Sequence, residues 1–187
     1  MERSKLDFFD IVPDKVSNVL MLMHGYGSTA DDLISVGLSV RQLLPDTAVI
    51  FVNAPTPCEA GFGYQWFSLR SMNLFAILKE IKRSHLLLSS LIKEQLDRFG
   101  VPPNNLILGG FSQGAMMTLF TGLRLTEKPM CLISFSGMMP DTFETINREI
   151  GSRPDVCLVH GDYDNVVPYN SMEKAEEMLK ELNVPHK

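Results

Sequence analysis

The residues with the clearest chemical potential lie at positions 110–114, where the sequence reads GFSQG. This G-x-S-x-G pattern follows an apolar run typical of a strand and precedes one typical of a helix. A serine between such elements occupies a sharp turn, at which side chains in place of Gly110 and Gly114 would collide with neighbouring elements. The pattern predicts a nucleophilic Ser112 and a Gln113 N–H that faces developing negative charge at a helix N-terminus. The alternative is an ordinary helix N-cap, a position that serine favours.

A second glycine-rich turn, MHGYG, directly follows the apolar run that begins at Asn18. A turn at the end of a strand can present a second backbone donor, and the Tyr26 N–H is the candidate. Two such donors form an oxyanion hole, and the loss of one typically raises the barrier by about 3–4 kcal/mol. His24 could serve as a base. Because it precedes the nucleophile and abuts the turn, a structural histidine bonded to the loop backbone is favoured.

A third pattern, HGDYDNVVP at positions 160–168, follows the apolar run DVCLV. A carboxylate here would stand at the end of a strand, as the first two motifs do. Asp164 is predicted to orient a catalytic base, with Asp162 as the second choice and a turn former. The alternative is that both aspartates only shape the turn, since aspartate favours such positions.

Short apolar runs alternate with longer amphipathic ones, which predicts one α/β domain over residues 1–187 with a mostly parallel sheet and helices on both faces. Ligands then bind at the carboxyl ends of the strands, where all three motifs lie. Strands are predicted at 6–12, 18–24, 48–53, 105–111, 130–136 and 156–160. Helices are predicted at 31–44, 74–99, 112–125, 141–150 and 170–182, with an irregular loop at 55–70.

Taken together, HGYG, GFSQGAMM and HGDYDNVVP resemble the carboxylesterase/phospholipase family of α/β-hydrolases, which includes the acyl-protein thioesterases. The stretch GYQWFSLR resembles the bacterial branch of that family. The resemblance implies the α/β-hydrolase fold and hydrolysis of carboxylic ester or thioester bonds in a small-molecule or lipid substrate, without cofactor or metal. It places the nucleophile on Ser112, the acid on Asp164 and the oxyanion amides on Tyr26 and Gln113.

The same resemblance places Trp66 in the loop that lines the acyl-binding site. The alternative for Trp66 is a small apolar core beneath the loop, together with its aromatic neighbours Phe62, Tyr64 and Phe67.

The family's catalytic histidine follows the last helix and one more strand, in a Gly-His pair that this sequence does not contain. His85 is expected on the surface of the long helix, and only His186 follows Asp164. A helix at 170–182 spans roughly 20 Å and would leave His186 at the amino edge of the sheet, more than about 10 Å from Ser112. We therefore expect the last strand and the catalytic-histidine loop to be missing from this chain, and the chain to be nearly inactive.

Three functions remain open at this point. The first is a serine esterase or thioesterase whose C-terminal segment is missing. The second is a shortened, inactive relative that binds acyl ligands or partners without turnover. The third is an α/β binding domain whose glycine-rich turns hold an anion, although no phosphate-binding or dinucleotide fingerprint is present.

The composition bears on the partners and the cellular compartment of the protein. With a net charge of −5 and no block of Lys and Arg, the sequence indicates no nucleic-acid partner. It contains no secretory signal and no apolar run long enough to span a membrane. Three cysteines without metal-binding spacing favour a reducing cytoplasm. A sheet without its last strand would expose an edge that could pair with a second copy, which allows for a homodimer.

Overall fold

The computed structural model describes residues 5–70 and 74–187. Within these residues, six strands form the main sheet, in the order β1-β3-β2-β6-β7-β8. Two further short strands, β4 and β5, pair with each other in the loop that follows β3. The strands are β1 Phe8–Ile11, β2 Asn18–Met23, β3 Thr47–Val52, β4 Thr56–Pro57, β5 Tyr64–Gln65, β6 Leu106–Phe111, β7 Cys131–Phe135 and β8 Asp155–Val159.

All neighbouring strands of the main sheet are parallel except β1, which pairs antiparallel with β3 at one edge. In the central strands β2 and β3 almost every residue is buried, as expected for strands covered on both faces. The predicted mostly parallel α/β sheet is therefore confirmed.

The helices occupy the predicted segments with small differences at their ends. They are α1 Ile34–Leu43, α2 Leu74–Phe99, α3 Gln113–Gly122, α4 Phe143–Glu149 and α5 Asn170–Glu181. The segment predicted as one helix from position 31 begins as a 3-10 turn, Ala30–Leu33. At its start the Thr29 N–H donates to the Asp32 carboxylate at 3.1 Å, as in a capping box, and the Asp32 N–H donates to the Thr29 oxygen at 3.3 Å, a bond of the 3-10 type.

Apolar side chains fill both sides of the sheet. Met21 and Met23 of β2 point into the larger core, which includes residues of α2, α3, α4 and α5. Leu20 and Leu22 point into the smaller core beneath α1. None of the helices in the described part of the chain is long and apolar enough to cross a membrane.

Parallel pairing brings the ends of β2, β6 and β8 to the same edge of the sheet. Met23 lies opposite Gly110, and Phe111 of β6 lies level with Val159 of β8 through the intervening β7. The three sequence motifs follow these strands directly, so the fold places all of them at the carboxyl edge.

Candidate active site

Ser112 occupies a strained turn between β6 and α3. Its backbone angles are φ 52° and ψ −116°, a conformation that non-glycine residues rarely adopt. The flanking glycines allow this turn. A Cβ at position 110 would lie 2.3 Å from the Gly114 carbonyl carbon, and one at position 114 would lie 2.1 Å from the Met23 oxygen. The Ser112 side chain makes no capping hydrogen bond to α3, which argues against the interpretation of this residue as an ordinary N-cap.

A cavity of about 600 Å³ opens above Ser112. Its wall includes Ser112, Tyr26, Gln113 and Asp164, so the structure brings four of the five predicted site residues together. Much of the remaining wall is apolar, with contributions from Leu69, Phe111, Met116, Met138, Val166 and Val167.

Two backbone N–H groups are available at this cavity. Gln113 is the first residue of α3, and Tyr26 lies in the turn that follows β2. Among the described residues, neither N–H has a hydrogen-bond acceptor. The Gln113 N–H also lies at the positive end of the α3 dipole, which favours negative charge nearby. The Tyr26 side chain is anchored outside the turn by a 3.3 Å hydrogen bond from its hydroxyl to Glu59 Oε1.

Asp164 lies in the loop between β8 and α5. Its Oδ1 accepts hydrogen bonds from the N–H groups of Val166 and Val167, both at 2.9 Å. These bonds, from Val167 and then Val166, lower the pKa of Asp164 below its ordinary value, with help from the Ser136 hydroxyl. The carboxylate is therefore ionised and held in place at neutral pH. Asp162 is exposed and does not line the cavity.

Trp66 does not lie on the cavity wall. The side chain is buried, and its indole N–H donates to the His24 carbonyl oxygen at 2.9 Å. Phe67 is also buried, whereas Phe62 is exposed at the tip of the loop. This position disagrees with the expectation that Trp66 contacts an acyl group. It agrees with the alternative of a small core beneath the loop, because the indole N–H finds its partner in the backbone below.

The four histidines of the chain, all of them described, lie outside the cavity wall. His24 is fully buried and bonds to the backbone of Gly25 and Ala54, as expected for a structural histidine. His160 is turned towards the Val167 carbonyl, 2.7 Å from its Nε2, with Asp164 Oδ2 at 3.7 Å.

The expectation of a surface position for His85 was wrong. Its ring faces α3, with Nδ1 3.2 Å from the Thr121 hydroxyl, because this side of α2 packs against that helix. Burial, together with the nearby Arg124 charge, lowers the pKa of His85 to about 4.

His186 lies beside the amino half of β8. It forms a parallel bridge with Val156, and the adjacent Lys187 N–H donates to the Val156 oxygen. Its Nδ1 is 2.7 Å from the Val184 oxygen. Three strand spacings across the sheet and about four residues along it separate this position from Ser112, which corresponds to roughly 15–20 Å.

Several cavity residues carried no signal in the sequence. Ser136, at the end of β7, has a φ of 48° and lies beside Asp164. Met116, Met138 and Leu69 come from three different elements or loops and meet only in the fold. The described residues contain no group of three His, Cys, Asp or Glu side chains that could hold a metal ion.

Comparisons with known proteins identify the family and the fold. The sequence profile of the Phospholipase/Carboxylesterase family matches residues 11–187. Acyl-protein thioesterase 1 of Emericella nidulans is 30% identical over 93% of this chain and 81% of its own length. Esterase PE8, known from a crystal structure, is 38% identical in sequence. The match covers 98% of this chain and 87% of the PE8 chain, and the two superpose with a TM-score of 0.91.

A more distant structure shares the fold. The Bacillus cereus carboxylesterase is 15% identical, with 98% of this chain and 84% of that one covered and a TM-score of 0.79. The family match spans residues 11–187, which is nearly the whole sequence. The chain therefore belongs to the phospholipase/carboxylesterase family and has the α/β-hydrolase fold.

Proposed function

We propose that this chain hydrolyses carboxylic ester or thioester bonds through an acyl-enzyme on Ser112. The observation that carries the proposal is the strained turn at Ser112. It presents a hydroxyl without a capping bond to a cavity that also holds two available N–H groups and the Asp164 carboxylate. Membership of the family supports the same reaction class.

In the proposed reaction the Ser112 oxygen attacks the acyl carbon, and the carbonyl oxygen becomes an oxyanion. The N–H groups of Tyr26 and Gln113 donate to that oxygen, in a site where fixed donors are worth more than water. The serine proton passes to a base and then to the departing alcohol or thiol. Water, activated by the same base, attacks the acyl-serine ester and releases the carboxylic acid together with the regenerated hydroxyl.

The base is the part of this reaction that none of the described histidines brings to Ser112. His24 and His160 are bonded to backbone atoms, His85 faces α3, and His186 lies at the amino half of β8. Asp164 is positioned to orient an imidazole at Ser112, where none of the four described histidines lies. The apolar wall of the cavity also supports a second candidate function, in which the chain binds acyl ligands without turning them over.

The wall of the cavity supports an acyl substrate. Met116 from α3, Met138 after β7 and Val166 in the Asp164 loop contribute apolar surface beside Ser112. Methionine adapts its shape to irregular apolar ligands, so a flexible acyl chain fits this wall. We further propose a reducing, cytoplasmic setting, which the free thiols of Cys58, Cys131 and Cys157 support.

Chemical rescue with free imidazole tests the reaction in this chain. We expect slow labelling of Ser112 by a fluorophosphonate probe and slow hydrolysis of a p-nitrophenyl or thiocholine ester. Imidazole added at millimolar concentration should accelerate both, because a cavity of about 600 Å³ admits it between Asp164 and Ser112. Ser112→Ala is the matched control and corrects for hydrolysis by imidazole alone.

Labelling that persists in Ser112→Ala would contradict the assignment of Ser112 as the nucleophile. Tight binding of a fatty alcohol or acid with no labelling, with or without imidazole, would favour the binding function over hydrolysis.

A further inference from the structure

We propose that the side chains of Trp66 and Gln113 are positioning residues that fix the two N–H groups of the oxyanion hole relative to each other. The inference rests on the proposed function. These N–H groups belong to Tyr26 and Gln113, on separate elements of the fold, yet both must meet one oxygen atom. A buried chain of hydrogen bonds through the loop at Trp66 joins the two elements.

The first link is the side chain of Gln113. Its Oε1 accepts a hydrogen bond from the backbone N–H of Trp66 at 3.0 Å, and its Nε2 donates to the backbone oxygen of Phe67 at 2.8 Å. The residue is 2% exposed, so neither bond competes with bulk water. One residue therefore offers its backbone N–H to the cavity while its side chain is fixed to the loop behind it.

The second link is the indole of Trp66. Its Nε1 donates to the His24 oxygen at 2.9 Å, and the residue is 1% exposed. This carbonyl belongs to the peptide unit between His24 and Gly25, immediately before the unit that carries the Tyr26 N–H. The indole therefore fixes the peptide unit immediately before the one that carries the Tyr26 N–H.

The third link is His24 itself. Its Nε2 accepts from the Ala54 N–H at 3.0 Å, so the proton of the neutral ring is on Nδ1, which donates to the Gly25 oxygen at 2.7 Å. The Gly25 carbonyl and the Tyr26 N–H share one planar trans peptide, in which they point in opposite directions. Because the His24 ring holds the Gly25 carbonyl, the Tyr26 N–H of the same peptide points away from the ring.

A tetrahedral ligand without a leaving group tests the positioning role. Hexylboronic acid adds to a serine hydroxyl, whose proton is released to the buffer, and a boron-bound oxygen of the tetrahedral adduct takes the place of the oxyanion. The adduct is followed by ¹¹B NMR and its affinity by calorimetry, with 1-hexanol as a ligand of equal chain length that lacks this oxygen. The variants are Trp66→Phe and Gln113→Met, with Thr121→Val as a control that removes a buried hydroxyl at the far end of α3.

We expect the boronate affinity to fall about 10-fold or more in each variant, since a misplaced group of this kind costs up to roughly 100-fold. Hexanol affinity should be unchanged, and Thr121→Val should bind both ligands as the parent chain does. Because both side chains act on one alignment, the double variant should lose less than the two single losses combined.

Unchanged boronate affinity would overturn the inference, and so would an equal loss of boronate and hexanol binding, which a purely structural role predicts. If Trp66→Phe does not fold, benzothienylalanine at position 66 keeps the shape of the ring and removes only its N–H. Failure of the parent chain to form an adduct that is lost in Ser112→Ala would instead contradict the proposed function itself.

Discussion

Two turns at the same edge of the sheet supply different parts of the candidate site and are built differently. The turn after β2, which contains Tyr26, rests on the fully buried His24 and on the indole of Trp66. The loop after β8, which contains Asp164, is largely exposed, and Val166 beside the aspartate is 87% exposed.

Under the proposed function, this difference follows from what each turn would have to do. Two N–H groups must converge on one small oxygen, so their directions have to be set by packing and by buried hydrogen bonds. A carboxylate that orients a base must above all stay ionised, and two backbone N–H groups next to solvent achieve this for Asp164. The turn that carries the Tyr26 N–H is therefore held more rigidly than the loop that carries Asp164.

The largest expected effect comes from filling the space between the turn after β2 and α3. Gly114→Ala would place a Cβ 2.1 Å from the Met23 oxygen and 2.6 Å from the His24 oxygen, both backbone atoms that cannot move aside. We expect the free energy of unfolding to fall by about 3 kcal/mol or more, at the upper end for overpacking. Urea denaturation followed by circular dichroism measures it.

The matched control lies in the other loop. A Cβ at Gly161 meets nothing within 4 Å, so Gly161→Ala should change the free energy of unfolding by less than about 0.5 kcal/mol. A similar loss of unfolding free energy in Gly114→Ala and Gly161→Ala would mean that the two turns are equally constrained. That result would contradict the difference described above.

A smaller effect, confined to chemistry, is expected at the exposed loop. Asp164→Asn should reduce imidazole-assisted labelling of Ser112 at least 10-fold, though by less than the factor of about 10⁴ typical of a tethered base. Asp162→Asn, an equivalent change two residues away, should leave the labelling rate unchanged because Asp162 does not line the cavity. Greater damage from the change at Asp162 would identify it as the orienting acid.

The smallest expected effect is on pH dependence. Burial lowers the pKa of His24, and burial with the Arg124 charge lowers that of His85 to about 4. Both folded-state values lie below the unfolded value of about 6.5, so these residues stabilise the fold above pH 6.5 and progressively less as the pH falls towards 4. The carboxylate of Asp164, with its lowered pKa, loses its contribution only below about pH 4.

The free energy of unfolding, measured from pH 7 to pH 4, should therefore decrease on acidification. His85→Gln should make that dependence shallower, while Asp164→Asn should leave it unchanged above pH 4.5. A flat profile in the parent chain would show that neither His24 nor His85 has to remain neutral in the folded state.

The fold was largely predictable because its signals are local. The apolar runs before Tyr26, Ser112 and Asp164 are continuous, as buried parallel strands require, and a glycine or aspartate pattern follows each of them. Helical crossovers make neighbouring strands parallel, so their carboxyl ends lie at one edge of the sheet. The meeting of these three residues in one cavity follows from that topology.

What the sequence could not reveal are contacts between distant side chains. The periodicity of α2 does not show that His85 faces α3, since a histidine suits either face of an amphipathic helix. An aromatic loop likewise does not indicate whether Trp66 faces a ligand or the backbone beneath it. The place of Gln113 after the serine was enough to predict a role for its backbone N–H, but the two bonds of its side chain depend on a loop more than forty residues earlier in the sequence.

The pairing of β2 with β6 has a consequence for how the molecule folds. Val19 lies opposite Leu106, so the centre of the sheet closes only after the intervening β3, the loop and the long α2 have been synthesised. Contacts this distant in sequence carry a large loop-closure entropy and form slowly. A nascent chain that ends before β6 contains the Tyr26 turn, but neither α3 nor the Gln113 amide, its partner in the proposed oxyanion hole. The two proposed donors therefore come together only when the central strands pair.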